Sequence, residues 1–368
     1  GLTFQNGKAA DGGGVFAAGN VTLTGCTFIG NAANNTGGGL YAGGDAYMAG
    51  CTFIGNTAKT SGGGIFIGGR ATASDSIFTE NEADFTGGGL HANGSVAVNS
   101  CTFAGNKTYM SSKGMYAYGG GGMFTDSRAA IDDCLFKDNV SGGDGGGVYT
   151  NKSATLNSCS FVNNTAAVDG GGVFIYGLAV LENCELFKNT ARYGGGVFTI
   201  DAALKDCAVA DNDSSGGTIY CLGHASAENS SFNSNRVYGN KDDGGVFDAC
   251  DISLWHCTFT DNKSGGGGDV YNVWTYTNVF VAENCLMTWA GLTANSNIDP
   301  VSTSGNRIGN PDDTFSSWFG TKAVALGHAV PLRGVAEGAV LIPELAADAA
   351  GNTRSADNCL YGAVNRPA

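Results

Sequence analysis

Five charged residues form the densest group in the sequence that could do chemistry: Arg236, Lys241, Asp242, Asp243 and Asp251. Carboxylates suit a hard cation such as Ca²⁺, and a neighbouring Arg or Lys can take part in proton transfer. Asp132 and Asp133, close to Arg128, form a weaker group. Most of the first group lies in or just after one loop. An ordinary charged loop exposed to solvent would have the same composition. The sequence therefore favours no catalysis and leaves these residues as weak catalytic candidates.

A second group could bind a ligand through aromatic and thioether side chains. It lies in the longest insertion of the chain, the thirteen residues 107–119, and comprises Tyr109, Met110, Met115, Tyr116 and Tyr118. A loop of this length and composition is unusual to expose, so it either folds over the protein or contacts a partner. We predict that these five residues contact a ligand.

An aromatic or histidine side chain also recurs about every 25 residues, at Phe16, Tyr41, Phe66, His91, Phe124, Tyr149, Phe174, Phe198, Tyr220, Phe247 and Tyr271. Each follows an aliphatic residue, such as Val15, that we expect to point inward, so strand alternation turns the ring outward. Sugars or another protein could stack on such a stripe, and we predict ligand contacts at Tyr41, Phe66 and Tyr149. The alternative is that the rings pack inward at a corner or are covered by loops.

These residues belong to a repeated block, and a period of about 25 residues indicates a solenoid. The block reads Cys-Thr-Phe-x-x-Asn, a short polar stretch, and then a Gly triplet with an aliphatic residue. Helices are excluded because each Gly costs up to ~1 kcal/mol relative to Ala. Alternating apolar residues such as Val96 and Val98 indicate strands with one buried face. We therefore predict an all-β solenoid of about eleven coils over residues 1–290.

An asparagine occurs at one repeat position in ten consecutive coils: Asn31, Asn56, Asn81, Asn106, Asn139, Asn164, Asn189, Asn212, Asn235 and Asn262. Stacked coils lie roughly 4.8 Å apart, so each side chain can bond to the copies above and below as well as to its own turn. We predict a structural asparagine ladder, beside a buried column of phenylalanines.

Twelve cysteines would ordinarily suggest disulfides or metal binding. Nine of them occupy one repeat position, where Ser76 and Ser230 substitute, and no Cys-x-x-Cys occurs. We expect small buried residues with free thiols, because in-register Cβ atoms ~4.8 Å apart exceed the ~3.8 Å usual in disulfides. Cys221 and Cys250 are the one pair to test for a bridge. No histidine has a partner at metal-ligand or catalytic spacing, so neither a metal site nor a cofactor is predicted.

The overall composition argues against some classes of binding partner. A net charge of −14 argues against nucleic acid and anionic membranes. No stretch of eighteen apolar residues occurs, which argues against insertion of this segment into a bilayer. The repeat is lost after about residue 290, and we expect residues 291–368 to cap the strand edges of the last coil.

The joined Gly-Gly-Gly-Ile/Val-Phe/Tyr and Cys-Thr-Phe-x-x-Asn motifs resemble the repeats of polymorphic outer-membrane proteins and other bacterial surface proteins of the pectate-lyase-like superfamily. This resemblance implies a single right-handed parallel β-helix. The ending, with Asp348, Gly351, Arg354 and Cys359, is similar to that of β-helix proteins with a variable cell-surface anchor, although Leu360 departs from the pattern. It implies an extracellular or surface-attached protein.

We expect a structural or adhesive module that presents loops to a glycan or a cell-surface protein. The resemblance also implies an alternative, a polysaccharide lyase or hydrolase, in which carboxylates would bind Ca²⁺ and an Arg or Lys would take a proton. The Asp-Asp and Gly-His-Gly motifs of polygalacturonases have no convincing counterpart here. A third possibility is a self-associating subunit of an extracellular filament or of a longer repeat array.

Overall fold

The computed structural model describes residues 1–109, 119–238 and 245–264, together with four short strands further along the chain. These strands are Tyr271–Val273, Phe280–Glu283, Leu286–Met287 and Arg307–Ile308. Most of the predicted capping segment lies outside the described residues. Within the described part, no helix is long and apolar enough to cross a bilayer.

Sheet 1 is built from the Thr-Phe-x segments, whose middle residue points into the core while its two neighbours point outward. Its strands are Thr3–Gln5, Thr27–Ile29, Thr52–Ile54, Ile77–Thr79, Thr102–Ala104, Leu135–Lys137, Ser160–Val162, Glu185–Phe187, Ala208–Ala210, Ser231–Asn233, Thr258–Thr260, Leu286–Met287 and Arg307–Ile308. The first eleven of these strands number the coils 1 to 11.

Sheet 2 follows the asparagine position and has short strands: Lys8–Ala9, Ala32–Ala33, Thr57–Ala58, Glu82–Ala83, Lys107–Thr108, Val140–Ser141, Thr165–Ala166, Thr190–Tyr193, Asp213–Gly216, Arg236–Val237 and Lys263–Ser264. Sheet 3 has two columns of strands, and two long strands, Val173–Glu182 and Val197–Lys205, run through both. The first column follows the Gly triplets: Val15–Ala17, Leu40–Ala42, Ile65–Ile67, Leu90–Ala92, Met123–Thr125, Val148–Thr150, Ile219–Cys221, Phe247–Ala249 and Tyr271–Val273. The second column is Val21–Thr24, Ala46–Ala49, Ala71–Ser74, Val96–Asn99, Ala129–Asp132, Ala154–Asn157, His224–Glu228, Asp251–Trp255 and Phe280–Glu283.

Neighbouring coils are joined by parallel pairing of equivalent strands, which confirms the predicted all-β solenoid. One coil departs from the predicted alignment. Ile219 pairs with Phe247 and not with Val246. A slip of one residue moves a side chain to the opposite face of a strand. Phe247, which the sequence predicts to point outward, is therefore fully buried in the core against Phe232.

The core is filled by columns of identical side chains. Phe28, Phe53, Phe78, Phe103, Phe136 and Phe161 are fully buried, and successive ring centroids lie 4.6 to 5.0 Å apart in nearly parallel planes. This spacing matches the separation of neighbouring strands, because each ring belongs to one coil. The aromatic contacts therefore repeat along the rod with the same period as the backbone hydrogen bonds.

The predicted asparagines lie in a buried ladder beside the phenylalanines. The Asn139 side-chain amide donates to the Phe103 carbonyl (2.8 Å) and to Asn164 Oδ1 (2.9 Å). Its own Oδ1 accepts from the backbone and side-chain nitrogens of Asn106, both at 3.0 Å. Each asparagine therefore satisfies buried polar groups of the coil before it, which would otherwise cost free energy. Coil 1 has Gly7 at this position, and Gly7 N–H donates to Asn31 Oδ1 (2.9 Å).

The cysteine column lies next to the ladder, and its described thiols are buried and form no disulfides. The Cys159 thiol donates to the carbonyls of Asn157 (3.2 Å) and Ile131 (3.3 Å). Cys221 and Cys250, the pair to test for a bridge, form no disulfide with each other. The column therefore packs as small hydrogen-bonded residues, as its substitution by serine indicates.

The Gly triplets form the corner that leads from sheet 2 into sheet 3. The first glycine has positive φ, as at Gly145 with φ 63°. The second has no room for a side chain, because a Cβ on Gly146 would lie 2.2 Å from the Gly171 carbonyl oxygen. Both requirements exclude other residues at a corner where the backbones of adjacent coils approach closely.

Replacing Asn139 with alanine should lower the free energy of unfolding by at least about 1–3 kcal/mol, because buried donors of Asn106 and the Phe103 carbonyl lose their partner. Thermal unfolding followed by circular dichroism measures the loss. Asn157→Ala is the control. Asn157 is exposed at the end of the sheet 3 strand Ala154–Asn157, so this change should be nearly neutral. Equal stability of the two variants would show that the hydrogen bonds of the ladder do not contribute measurably to the free energy of unfolding.

Replacing Phe136 with alanine should cost about 3–5 kcal/mol, because it opens a cavity in a close-packed aromatic column. The neighbouring Leu135 points outward and is half-buried, so Leu135→Ala should cost much less. Chemical denaturation of both variants measures the difference. A near-neutral Phe136→Ala would mean that the stacked rings contribute little to stability.

Candidate functional site

The charged residues that the sequence offers as catalytic candidates are not brought together in the described part of the chain. Arg236 is exposed on sheet 2, where its register neighbours are Asp213 and Lys263. Asp251 is buried on sheet 3, so it cannot share a face with Arg236. The remaining candidates, Lys241, Asp242 and Asp243, lie outside the described residues. Among the described side chains, no cluster of three His, Cys, Asp or Glu residues could hold a metal ion.

In the second catalytic group, Arg128 directly precedes the sheet 3 strand Ala129–Asp132, at the opposite end from Asp132 and Asp133. Asp132 ends a sheet 3 strand, and Asp133 forms the next corner with φ 50°. The Asp133 carboxylate accepts a hydrogen bond from the Ser100 hydroxyl (3.0 Å), one coil away. These contacts fix a corner and give no arrangement for proton transfer.

The aromatic column runs along the outside of sheet 3. From Phe16 to Tyr220 its ring centroids lie 4.7 to 5.3 Å apart with nearly parallel planes. Each ring therefore covers the face of the next, and outward-pointing rings present their edges. The outward direction matches the prediction, since the buried members form a cluster separate from the main core.

Exposure along the aromatic column changes from one end to the other. Phe16 is 58% exposed, and Tyr41 and Phe66 are half-buried. Tyr149, predicted to contact a ligand, is only 3% exposed, and its hydroxyl donates to Asn151 Oδ1 (2.9 Å). The prediction of an exposed ring is therefore wrong at Tyr149, because stacking covers its faces and packing covers its edge. A ligand can reach the column at coils 1 to 3.

His91 takes one place in the aromatic column, between Phe66 and Phe124. Its Nδ1 lies 2.8 Å from the Thr86 hydroxyl, and its Nε2 lies 2.9 Å from Asn93 Oδ1. Burial lowers the pKa of His91 to about 4. The ring is therefore uncharged near neutral pH and packs as a polar member of an aromatic stack.

Tyr109 is the one predicted ligand contact of the long insertion that lies within the described residues. The Tyr109 hydroxyl donates to a carboxylate oxygen of Glu82 (2.9 Å), and the Lys107 ammonium lies 4.4 Å from the centre of its ring. Tyr109 is 38% exposed. Met110, Met115, Tyr116 and Tyr118 lie outside the described residues. The described start of the loop is thus held against the preceding coil and remains accessible.

Sequence reasoning missed a pair of carboxyl groups on adjacent coils, Asp144 and Asp169. Both directly precede a Gly triplet, and this shared repeat position was the available signal. Asp144 Oδ1 accepts from the Asp169 N–H (3.1 Å), while Asp169 Oδ1 is buried without a hydrogen-bond partner. Burial raises the pKa of Asp144 to about 6. Burial and the neighbouring Asp144 charge raise the pKa of Asp169 to about 7, against the opposing effect of Arg192.

The two carboxyl groups should make stability fall as pH rises from about 4 to about 7, because the folded state keeps protons that the unfolded chain releases above its pKa of 3.8. His91 titrates in the same range with the opposite sign, so the informative quantity is a difference between variants. The Asp144→Asn/Asp169→Asn variant should gain melting temperature relative to wild type as pH rises. A pH-independent difference would show that the pair does not titrate abnormally.

Comparison with known proteins agrees with this architecture. Residues 13–180 match the family model described as a right-handed β-helix region. No curated protein and no solved structure matches the chain. The matched segment covers the coils in which the phenylalanine and asparagine columns are most regular. The stacked coils and this match together support a right-handed parallel β-helix over the matched residues.

Proposed function

We propose that this protein is an extracellular or cell-surface scaffold that presents loops to a glycan or protein ligand. The observation that carries this proposal is the unbroken register across coil 5, which contains the long insertion. Thr102, Phe103 and Ala104 pair with Leu135, Phe136 and Lys137, as in coils without an insertion. A rod that accepts extra residues without a change in stacking is suited to carry loops.

The ladder and the aromatic stack cross the insertion in the same way. The Asn106 amide donates to Asn139 Oδ1 (3.0 Å), and the rings of Phe103 and Phe136 lie 4.7 Å apart. The insertion therefore leaves the repeating contacts of the rod intact. Its Tyr and Met side chains supply large adaptable contact area, which is common at binding surfaces.

The setting of the insertion supports the same proposal. Its described ends lie at the sheet 2 strand Lys107–Thr108 and at the Gly triplet that leads to the aromatic column. Phe16, Tyr41 and Phe66 offer accessible ring edges on the coils before it. The resemblance to bacterial surface repeats and to an anchor-type ending favours a location outside the cell or on its surface.

The two alternative functions would each require a structural feature that the scaffold does not need. A polysaccharide lyase or hydrolase would need Arg236 or another base close to Ca²⁺-binding carboxylates, and the described members of that group lie on different sheets. A subunit of a filament or of a longer array would need end-to-end continuation of the coils. Activity assays on anionic and neutral polysaccharides, with and without Ca²⁺, separate the enzyme from the scaffold.

Replacing residues 107–119 with the five-residue corner Thr57–Ser61 should preserve folding, because coil 3 closes with that corner in the same register. Binding to polysaccharide arrays or to cell surfaces should be lost. The control exchanges Thr165–Asp169, another five-residue corner, for the same segment and should keep binding.

Two outcomes would contradict the scaffold proposal. Misfolding of the shortened protein would show that the insertion covers part of the core. Normal binding by the shortened protein, together with a depolymerase activity that Asp242→Asn removes, would favour the enzyme.

A further inference from the structure

The outer face of sheet 1 is almost free of charge. Each strand presents its first and third residues outward, and through coil 11 the charged ones are Lys137 and Glu185 alone. The others are mainly Thr, Ile, Ala, Ser and Val, and they are half-buried or exposed. A chain with a net charge of −14 has few surfaces on which a second acidic chain could approach without repulsion.

The corners that flank this face are single residues with positive φ. In coil 3 these corners are Gly50 and Gly55, and a Cβ on either would meet no atom within 4 Å. Other coils place Asp75, Glu80 or Lys188 at the same angle, with φ of 50°, 55° and 56°. Packing therefore leaves room for a side chain at both corners of coil 3, although their positive φ favours glycine, and the two glycines leave the edge of the face clear.

We propose that the outer face of sheet 1 binds a second copy of this chain. The two rods lie antiparallel, and their two-fold axis passes through coil 7 at the strand Ser160–Val162. This arrangement places coil 6 opposite the partner's coil 8, coil 5 opposite coil 9, coil 4 opposite coil 10 and coil 3 opposite coil 11. Such a contact is isologous, so each side-chain pairing occurs twice.

The area of the face is sufficient for a specific contact. Nine coils overlap in this arrangement, and at ~4.8 Å per coil they span roughly 40 Å. Two outward columns ~7 Å apart, with a flanking corner on each side, give a width of roughly 14 Å. The resulting area is on the order of 600 Å² per copy, or about 1,200 Å² in total, which is the lower limit of stable specific interfaces.

The charges at the corners favour a two-fold axis at coil 7. Seven acidic residues flank the face, namely Asp75, Glu80, Asp133, Asp138, Asp206, Asp211 and Asp261. With the axis at coil 7, none of them faces an acidic residue of the partner. Asp138 lies opposite Lys188, and Lys137 lies diagonally opposite Glu185. Asp211 and Asp261 lie opposite the glycines of coils 5 and 3, so the small corners receive the charged ones.

Parallel packing of the same face, and antiparallel packing about axes near coil 7, bring like charges together, which costs binding free energy. An axis halfway between coils 5 and 6 keeps the acidic residues apart, but it places neither Lys137 nor Lys188 opposite an acidic residue. Parallel rods would place Asp75 against Glu80 and Asp206 against Asp211. Antiparallel rods with the axis at coil 6 would place Asp138 against its own copy, and with the axis at coil 8 they would do so for Lys188. Axes halfway between these coils place acids of coil 9 against those of coil 4 or coil 6.

The side chains near the axis are available for this contact. The Lys188 ammonium lies 4.8 Å from the centre of the Phe187 ring, at the edge of the face. Lys137 and Asp138 form a pair at 3.8 Å whose side chains are 51% and 47% exposed. Exposed pairs of this kind contribute little, so Lys137 can turn to a partner at small cost. Asp138 also accepts a hydrogen bond from Asn163 Nδ2 (2.7 Å), which leaves its second carboxylate oxygen for Lys188 of the second copy.

Sedimentation velocity over a concentration series tests the contact. Wild type should show a reversible dimer, and Val162→Arg, which puts two arginines at the two-fold axis, should raise the dissociation constant at least about tenfold. Thr165→Arg is the matched control, because it is an outward residue of sheet 2 in the same coil. The proposal is wrong if the wild-type protein stays monomeric, or if Val162→Arg does not raise the dissociation constant of the dimer.

An exchange of charges tests the antiparallel arrangement. Asp138→Lys and Lys188→Asp each introduce a residue that the same corner position already carries at this φ, so both variants should fold. Each alone should dimerise at least about tenfold more weakly than wild type, while an equimolar mixture should recover the dimer, because lysine then faces aspartate at both contacts. Failure of the mixture to recover would rule out the axis at coil 7.

Discussion

The hydrogen bonds of the buried asparagine ladder fix the relation of each coil to the next. Asn139 joins Asn106 and Phe103 of the preceding coil to Asn164 of the following coil through bonds of 2.8 to 3.1 Å. A shift by one residue would leave several buried polar groups without partners and would also turn the buried phenylalanines to the opposite face, and both changes cost free energy. The ladder therefore specifies one register, and the phenylalanine stack fills the space that this register creates.

Every surface column of the protein inherits that register. The aromatic column, the paired aspartates before the Gly triplets and the outward face of sheet 1 are all sets of residues at one repeat position. A side chain at one repeat position forms a continuous stripe along the rod when it recurs in each coil. Function in such a rod then depends on where the repeat is broken or varied, as at the insertion of coil 5 and at the glycine corners of coil 3.

The repeat made the fold and the buried columns predictable, because identical residues at one spacing must occupy equivalent environments. Side-chain surroundings outside the core were less accessible to sequence reasoning. Tyr149 follows the same pattern as Phe16, yet it is buried where Phe16 is exposed. Asp144 and Asp169 read as ordinary turn residues, and their raised pKa values depend on burial that no local pattern reports. The slip at Phe247 follows a lost Gly triplet, which removed the landmark for alignment.

The direction of the ladder has a consequence for how the chain is made. Each asparagine completes the coil before it, so a coil acquires its last buried partners when about 25 further residues have been synthesised. Folding can therefore advance coil by coil from the first residues to appear, with contacts whose separation in sequence does not grow with the length of the rod. The newest coil is always incomplete, and it serves as the template on which the following one assembles.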